Sequence, residues 1–275
     1  MVFLKMSTNY VYVQVNQDNF YIEEKRVISD MSLLHYHDHY ELYFLLSNTQ
    51  RYFIESTHYE MPTNTLALIK PKELHKTEYG LGGYRFLINF NDSFLDSYFT
   101  KNSKQILLSL FQKRIISFEK DAKQIETCLR NIFQAYKKND KAKIYICFVN
   151  LFGILLHCAE TTTAPTIIAK NSTIDKIAQY IQDNYSSITT LEEVAAEMFI
   201  SKYHLCHLFT KHLNTTFYHF LTEVRLKHAE EYLIKTKKNI TEIAELCGFT
   251  TSSQFCFCFH KKFGVPPLKY RKLHK

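Results

Sequence analysis

Between positions 35 and 41 the chain reads His35-Tyr36-His37-Asp38-His39-Tyr40-Glu41. In an extended strand successive side chains point to opposite faces, so the three imidazoles and Glu41 share one face and Tyr36, Tyr40 and Leu42 take the other. The stretch Pro71-Lys-Glu-Leu-His75 offers a fourth imidazole from a later strand. Such a set supports metal chemistry: His35, His37, Glu41 and His75 could hold a divalent ion with positions left open for oxygenase or isomerase reactions. The plain alternative is that these side chains satisfy local hydrogen bonds at the mouth of a barrel. The seven cysteines, at 128, 147, 158, 206, 247, 256 and 258, form no Cys-x-x-Cys pair and no disulfide framework, which fits reduced thiols in a cytoplasmic chain. Cys256 and Cys258, two apart on a helix, point in different directions and are not expected to share a metal.

The elements around these residues follow from periodicity. Runs rich in β-branched and aromatic residues at 10–15, 40–46, 51–55, 66–69 and 84–90, separated by Asn, Thr, Pro and Gly, predict a β-sandwich or small barrel over 1–100. Between about Asp92 and Thr161 the period becomes helical. Ile125, Cys128, Leu129, Ile132, Phe133 and Tyr136 fall on one stripe, and Ile144, Cys147, Phe148, Leu151, Phe152 and Leu155 on another. The two helices can pack on each other and on the sheet, but the second is apolar nearly all round, which predicts a homodimer contact over part of its surface. Ile144 to Ala159 contains Asn150 and His157 and is short for a bilayer, so no membrane span is expected. The first ten residues lack the features of a secretory signal. A linker is expected at 160–172, around Thr161-Thr-Thr-Ala-Pro-Thr.

With 275 residues, 46% of them hydrophobic and 22% charged, the chain buries more than one core, and disordered or disulfide-dependent classes are excluded. Its positive charge is uneven. From Lys170 to Lys275 there are 15 Lys and Arg against 10 Asp and Glu, so +5 of the total +7 lies there, with seven of the 13 His. Nucleic acid is the first specific partner such a surface suggests.

That basic segment also repeats itself. Glu193-Val-Ala-Ala-Glu-Met-Phe-Ile-Ser201 matches Glu242-Ile-Ala-Glu-Leu-Cys-Gly-Phe-Thr250 at an offset of 49, and Leu205, Leu208, Phe209 and Leu213 match Phe255, Cys258, Phe259 and Phe263 at an offset of 50. Each half reads as a short helix, a turn and a second amphipathic helix opened by Ser or Thr, the layout of a helix-turn-helix, with Ala195 and Ala244 small enough for close helix approach. A helix of about five turns, from Phe217 to beyond Leu233, joins the halves. Two such probes held ~34 Å apart can enter successive major grooves on one side of a duplex.

These residues resemble the C-terminal DNA-binding domain of the AraC/XylS family of bacterial transcription regulators. The resemblance rests on Ser201-Lys-Tyr-His-Leu-Cys-His-Leu-Phe209, Arg225-Leu-Lys-His-Ala-Glu-Glu-Tyr-Leu-Ile234, Ile240-Thr-Glu-Ile-Ala-Glu-Leu-Cys-Gly-Phe249 and Phe263-Gly-Val-Pro-Pro-Leu-Lys-Tyr-Arg271, and it covers 170–275 without a gap. It implies base contacts from Lys202, Tyr203, Cys206 and His207 and from Thr251, Ser252, Ser253, Cys256 and Phe257, with phosphate contacts from Lys211, Lys261 and Lys262. His207 and Phe257 stand where relatives often carry Arg, and a phenyl ring can only touch a thymine methyl or another apolar edge. The N-terminal His-x-His-x3-Glu, followed by His75, is similar to the metal-binding motif of cupin barrels, although Lys72 stands where Gly is common. With an AraC-type reader attached, the resemblance implies that His35, His37, His39, Glu41 and His75 line a pocket for a small effector.

The expected architecture is α+β. It comprises a cupin-like sensor barrel (1–100), a helical dimerisation segment (101–165) and an all-α reader with two helix-turn-helix units (170–275). The expected function is a non-enzymatic, cytoplasmic, dimeric transcription regulator without cofactor. It would act on double-stranded promoter DNA and RNA polymerase, with activation as the default sign. The alternative is a metal-dependent cupin sensor or enzyme fused to a DNA-binding domain.

Overall fold

A computed structural model describes residues 19–26, 34–78, 83–161 and 172–274. The strand expected at 10–15 and most of the expected linker lie outside the described residues. The chain divides into two compact units. One holds the described residues of 19–26 and 36–161, the other residues 34–35 and 172–274.

The first unit is built on two antiparallel sheets. Strands β1 (Phe20–Arg26), β7 (Tyr84–Phe90), β2 (Tyr40–Leu45), β5 (Thr65–Ile69) and β8 (Ile115–Ser117) lie side by side in that order. The second sheet has β3 (Gln50–Ile54) between β4 (Thr57–Met61) and β6 (His75–Glu78). Alternation assigns the two faces of β2. Leu42 and Phe44 join Leu66, Leu68, Phe86, Ile88 and Phe90 in a core against helices, while Tyr43 and Leu45 join Tyr52, Ile54, Met61, Ala67 and Ile69 between the sheets. Glu41 shares the parity of Tyr43 and therefore belongs to the inter-sheet side.

Four helices cover the other face: α1 (Asp92–Tyr98), α2 (Lys101–Ser109), α3 (Ala122–Lys137) and α4 (Lys141–Thr161). Asn91 starts α1 by accepting the Phe94 N–H at 3.0 Å. Ile125, Leu129 and Ile132 of α3 and Phe148, Leu151 and Leu155 of α4 enter the same core as the strands. The helices expected beyond the strands thus share one core with the sheet, and β8 falls inside the stretch expected to be helical. With 21 residues α4 is longer than its apolar run suggested and passes a length and composition test for crossing a membrane, yet its apolar side is spent on this core. Ile146 and Val149 remain exposed on its outer face.

The second unit is helical: α5 (Thr173–Asn184), α6 (Leu191–Glu197), α7 (Lys202–Leu208) with a π-turn over Phe209–Leu213, α8 (Phe217–Lys235), α9 (Ile240–Leu246), α10 (Ser252–Phe263) and α11 (Pro267–Leu273). The joining helix α8 serves both halves. Phe217 and Phe220 pack on Phe209 of the first half, and Leu226, Ala229 and Leu233 pack with Ile243, Ala244, Phe255 and Phe259 of the second. Two arginines repeat the same brace. Arg225 donates to the carbonyls of Tyr185 and Ile188 beyond α5, and Arg271 donates to those of Leu233 and Lys238 at the end of α8. Each thereby satisfies carbonyls that a helix end leaves without an intrahelical donor.

Candidate functional sites: tandem reading helices and a buried histidine cluster

The reading helices are set by their caps. Ser201 Oγ accepts the His204 N–H at 3.2 Å, and Thr251 Oγ1 accepts the Gln254 N–H at 3.1 Å. Four residues (198–201) separate α6 from α7, whereas five (247–251) separate α9 from α10. The extra residue lies in the second turn, which explains why the repeat offset rises from 49 to 50 there.

Lys202, Tyr203, Cys206, His207 and Lys211 are exposed, and Tyr203 retains 77% of its accessible surface. On α10, Ser253, Phe257 and Lys261 are exposed, Phe257 at 70%, while Ser252 and Cys256 are half-buried. Thr251 is exposed, but its hydroxyl oxygen is engaged as the cap. Lys202 reaches Glu192 at 3.5 Å, an exposed pair that contributes little.

Lys262 corrects the expectation of a phosphate contact. Its ammonium pairs with the Glu223 carboxylate of α8, and the two side chains are 9% and 6% exposed. The reason is helical geometry: position 262 lies three and seven residues beyond Phe259 and Phe255, on the stripe that faces α8. Sequence reading missed this pair because a buried Glu in the joining helix looks like an ordinary solvated charge until its partner is located.

In the first unit a second constellation gathers between the sheets. The extended strand begins only at Tyr40, so His37 and His39 stand in the bend before it, and face alternation does not extend back to 35. His35 is half-buried and is grouped with the other compact unit. The residues drawn together within one unit are His37, His39, Glu41 and His75, all buried. His37 Nδ1 donates to the His39 carbonyl at 3.0 Å and its Nε2 lies 3.2 Å from Glu41 Oε2. His75 Nδ1 donates to the Glu73 carbonyl at 2.8 Å, and its Nε2 is 3.9 Å from Glu41 Oε1. The rings of His37 and His39 stack at 3.5 Å, nearly parallel.

Lys72 is the third residue of the turn Lys70-Pro71-Lys72-Glu73, with φ 68°, a left-handed position that glycine occupies most cheaply. That backbone requirement accounts for the glycine common at this place. The Lys72 N–H donates to the His37 carbonyl at 2.7 Å and its ammonium pairs with Asp38, so the turn that delivers His75 is tied to the bend that carries His37.

Two tyrosines complete the cluster and were not anticipated. Tyr52 Oη donates to Glu41 Oε1 at 2.6 Å, and Tyr43 Oη donates to Gln50. Tyr43 was within reach, since it follows Glu41 by two and must share its face. Tyr52 comes from β3, whose pairing with β6 no local pattern reveals. Burial raises the Glu41 carboxyl, but the hydrogen bond to His37, the charges of His75 and His37 and the hydrogen bond from Tyr52 outweigh it and hold the group well below the usual carboxylate range. Burial, followed by the charge of Glu41, pushes the Tyr52 phenol far up. The site is thus an anionic carboxylate ringed by imidazoles and a neutral phenol.

Comparison with known proteins defines the class. A family described as an AraC-like ligand binding domain matches residues 21–144, and one described as a helix-turn-helix domain matches residues 194–273. The chain belongs to the AraC family of helix-turn-helix transcription regulators. It is 34% identical to the Escherichia coli regulator YijO over 122 residues, 44% of this chain and 43% of that one. It is 26% identical to the Bacillus subtilis regulator YfiF over 254 residues, 89% and 80% of the two chains. The solved C-terminal domain of AraT, a response regulator from Geobacillus stearothermophilus, is 36% identical, with 38% of this chain and 88% of that one covered at a TM-score of 0.37. The matches span less than half the length of the first three curated relatives.

Proposed function

We propose that the chain is a cytoplasmic, dimeric, sequence-specific DNA-binding regulator, an activator that recruits RNA polymerase when a small effector occupies its β-domain, and not an enzyme. The observation that carries this reading is the pair of capped helices α7, with the π-turn that follows it, and α10, which turn Lys202, Tyr203, Cys206, His207 and Lys211, and Ser253, Phe257 and Lys261, to solvent within one basic unit. His207 and Tyr203 can meet base edges, Phe257 can pack on a thymine methyl, and Lys211 and Lys261, 50 residues apart, can neutralise phosphates. The inter-sheet face at His37, His39, Glu41 and His75 is the effector site. Effector binding shifts the balance between two states only by its differential affinity for them. Exposed Ile146 and Val149 on α4 supply the dimer contact, and the seven free cysteines suit a reducing compartment.

Replacing Lys261 with Ala should weaken binding to every duplex alike and lower the slope of log K against log salt by about one. Replacing His207 with Ala should relax preference at one base position, at a cost of roughly 1–3 kcal/mol. An unchanged salt slope, together with an unchanged selected motif, would remove both roles.

A further inference from the structure

Resting on the reading of α7 and α10 as DNA readers, we propose that Glu223 and Glu230, two buried carboxylates of α8, are positioning residues that fix the second reader's register against the first and so set the half-site spacing the chain accepts. Both belong to the helix that serves both halves. Glu223 is 5% exposed and Glu230 fully buried. Seven residues, two helical turns or ~10 Å of axis, separate them on one face. Each is taken by a different element of the second half: Lys262 of α10 pairs with Glu223, and Tyr270 Oη of α11 donates to Glu230. Towards the first half, Glu223 Oε1 lies 3.9 Å from His219 Nε2, and His219 Nδ1 lies 2.9 Å from Thr215 Oγ1, two residues beyond the π-turn that ends the first reader. The Glu223 carboxylate thus stands between the halves.

Directional bonds supply what apolar packing alone does not. Leu226, Ala229 and Leu233 of α8 meet Phe255 and Phe259 of α10 through contacts whose strength follows area and not direction. A slip of α10 along α8 by one helical turn, ~5.4 Å, would keep much of that area, but it would part a buried carboxylate from a buried ammonium and leave both uncompensated. One anchor would still let α10 pivot, and the second at Glu230 removes that freedom. Stability alone does not account for the choice. An apolar pair of similar volume commonly serves a core at least as well as a buried ion pair, and the best-attested use of buried polar groups is to fix register. The scale of the constraint matches the target. One base pair advances the duplex by ~3.4 Å, so a second reader displaced by a single helical turn would fall more than one base pair out of place.

The test measures, by fluorescence anisotropy, how the full-length chain binds a duplex selected from a random pool and versions of it with one base pair inserted or removed between the two contacted patches. The parent should lose at least ~10-fold in affinity on each respaced duplex. Two double variants exchange a bonded pair for an apolar one: Glu223→Leu with Lys262→Met, and Glu230→Leu with Tyr270→Phe. Each should unfold at a denaturant midpoint near the parent's and bind the selected duplex within ~3-fold, yet lose less than ~3-fold on the respaced ones. A merely structural role would not separate stability from spacing in this way. Lys235→Ala, which opens only the exposed pair with Glu231 on the same helix, should keep the parent's spacing profile. Folded double variants that discriminate spacing as the parent does would overturn the proposal, as would a parent indifferent to spacing. Should one double variant fail to fold, the other and the parent's own profile still decide. A parent that selects no duplex at low salt overturns the reader assignment itself, which is a different result from a selected duplex bound at every spacing.

Discussion

The two helix-turn-helix halves are built to one plan and differ where their turns close. In the second half Gly248 adopts φ 76°, and a Cβ there would stand 2.5 Å from the Ser186 carbonyl oxygen. In the first half the matching position is Phe199, also left-handed at φ 54°, with its ring 96% exposed. A bulky residue in that region is strained by about 1–2 kcal/mol. The first half can accommodate the strain because nothing crowds the turn, whereas the second cannot admit even a methyl group. The helix ends repeat the contrast, with Asn214 at φ 48° after a π-turn in one and Gly264 at φ 73° after regular α-helix in the other. The second half is also anchored to α8 by the buried Lys262–Glu223 pair and by Tyr270 Oη donating to Glu230. Tightness is therefore unequal beyond the arginine brace the halves share: the second turn is closed against Ser186, and the first holds stored strain.

Three substitutions would break or sharpen this contrast. Lys262→Ala should be the most damaging, since it leaves Glu223 charged and buried without its ammonium. A loss of about 3–5 kcal/mol in denaturant unfolding is expected, and a loss under 1 kcal/mol would mean that the pair does not brace α10. Gly248→Ala should cost at least about 2 kcal/mol, from the left-handed backbone together with the clash at Ser186. An unchanged midpoint would show that the second turn is as open as the first. Phe199→Gly should act in the opposite direction. Release of the strain exceeds the added freedom of the unfolded chain, and a gain of about 0.5–1 kcal/mol is expected in thermal unfolding. A destabilised variant would show that the exposed ring has packing the contrast denies.

Legibility in the sequence followed the range of the interactions. The helical stripes of α3, α4 and α8 were readable because residues three and four apart report on one helix. The strands β2, β3, β5 and β7 were readable as apolar runs, while β1, β4 and β6, with charged residues such as Glu23, Glu60 and Lys76, fall outside those runs, although His75 was expected on a strand. Histidine spacing identified three members of the inter-sheet cluster from one segment and His75 from another. Their actual geometry depends on the bend at 36–39 and on the Pro71–Lys72 turn, which strict alternation could not supply. Tyr52 and the Lys262–Glu223 pair stayed hidden for a common reason: each joins residues remote in sequence, through sheet pairing in one case and helix packing in the other.

The central claim, that one chain presents two reading helices to a duplex, is tested most directly by hydroxyl-radical footprinting of the purified chain on a duplex selected from a random pool. Each reader should protect its own patch, two per chain, on the same side of the helix and about 10 base pairs apart. Protection of a single patch per chain, or no selected duplex at low salt, would contradict the account.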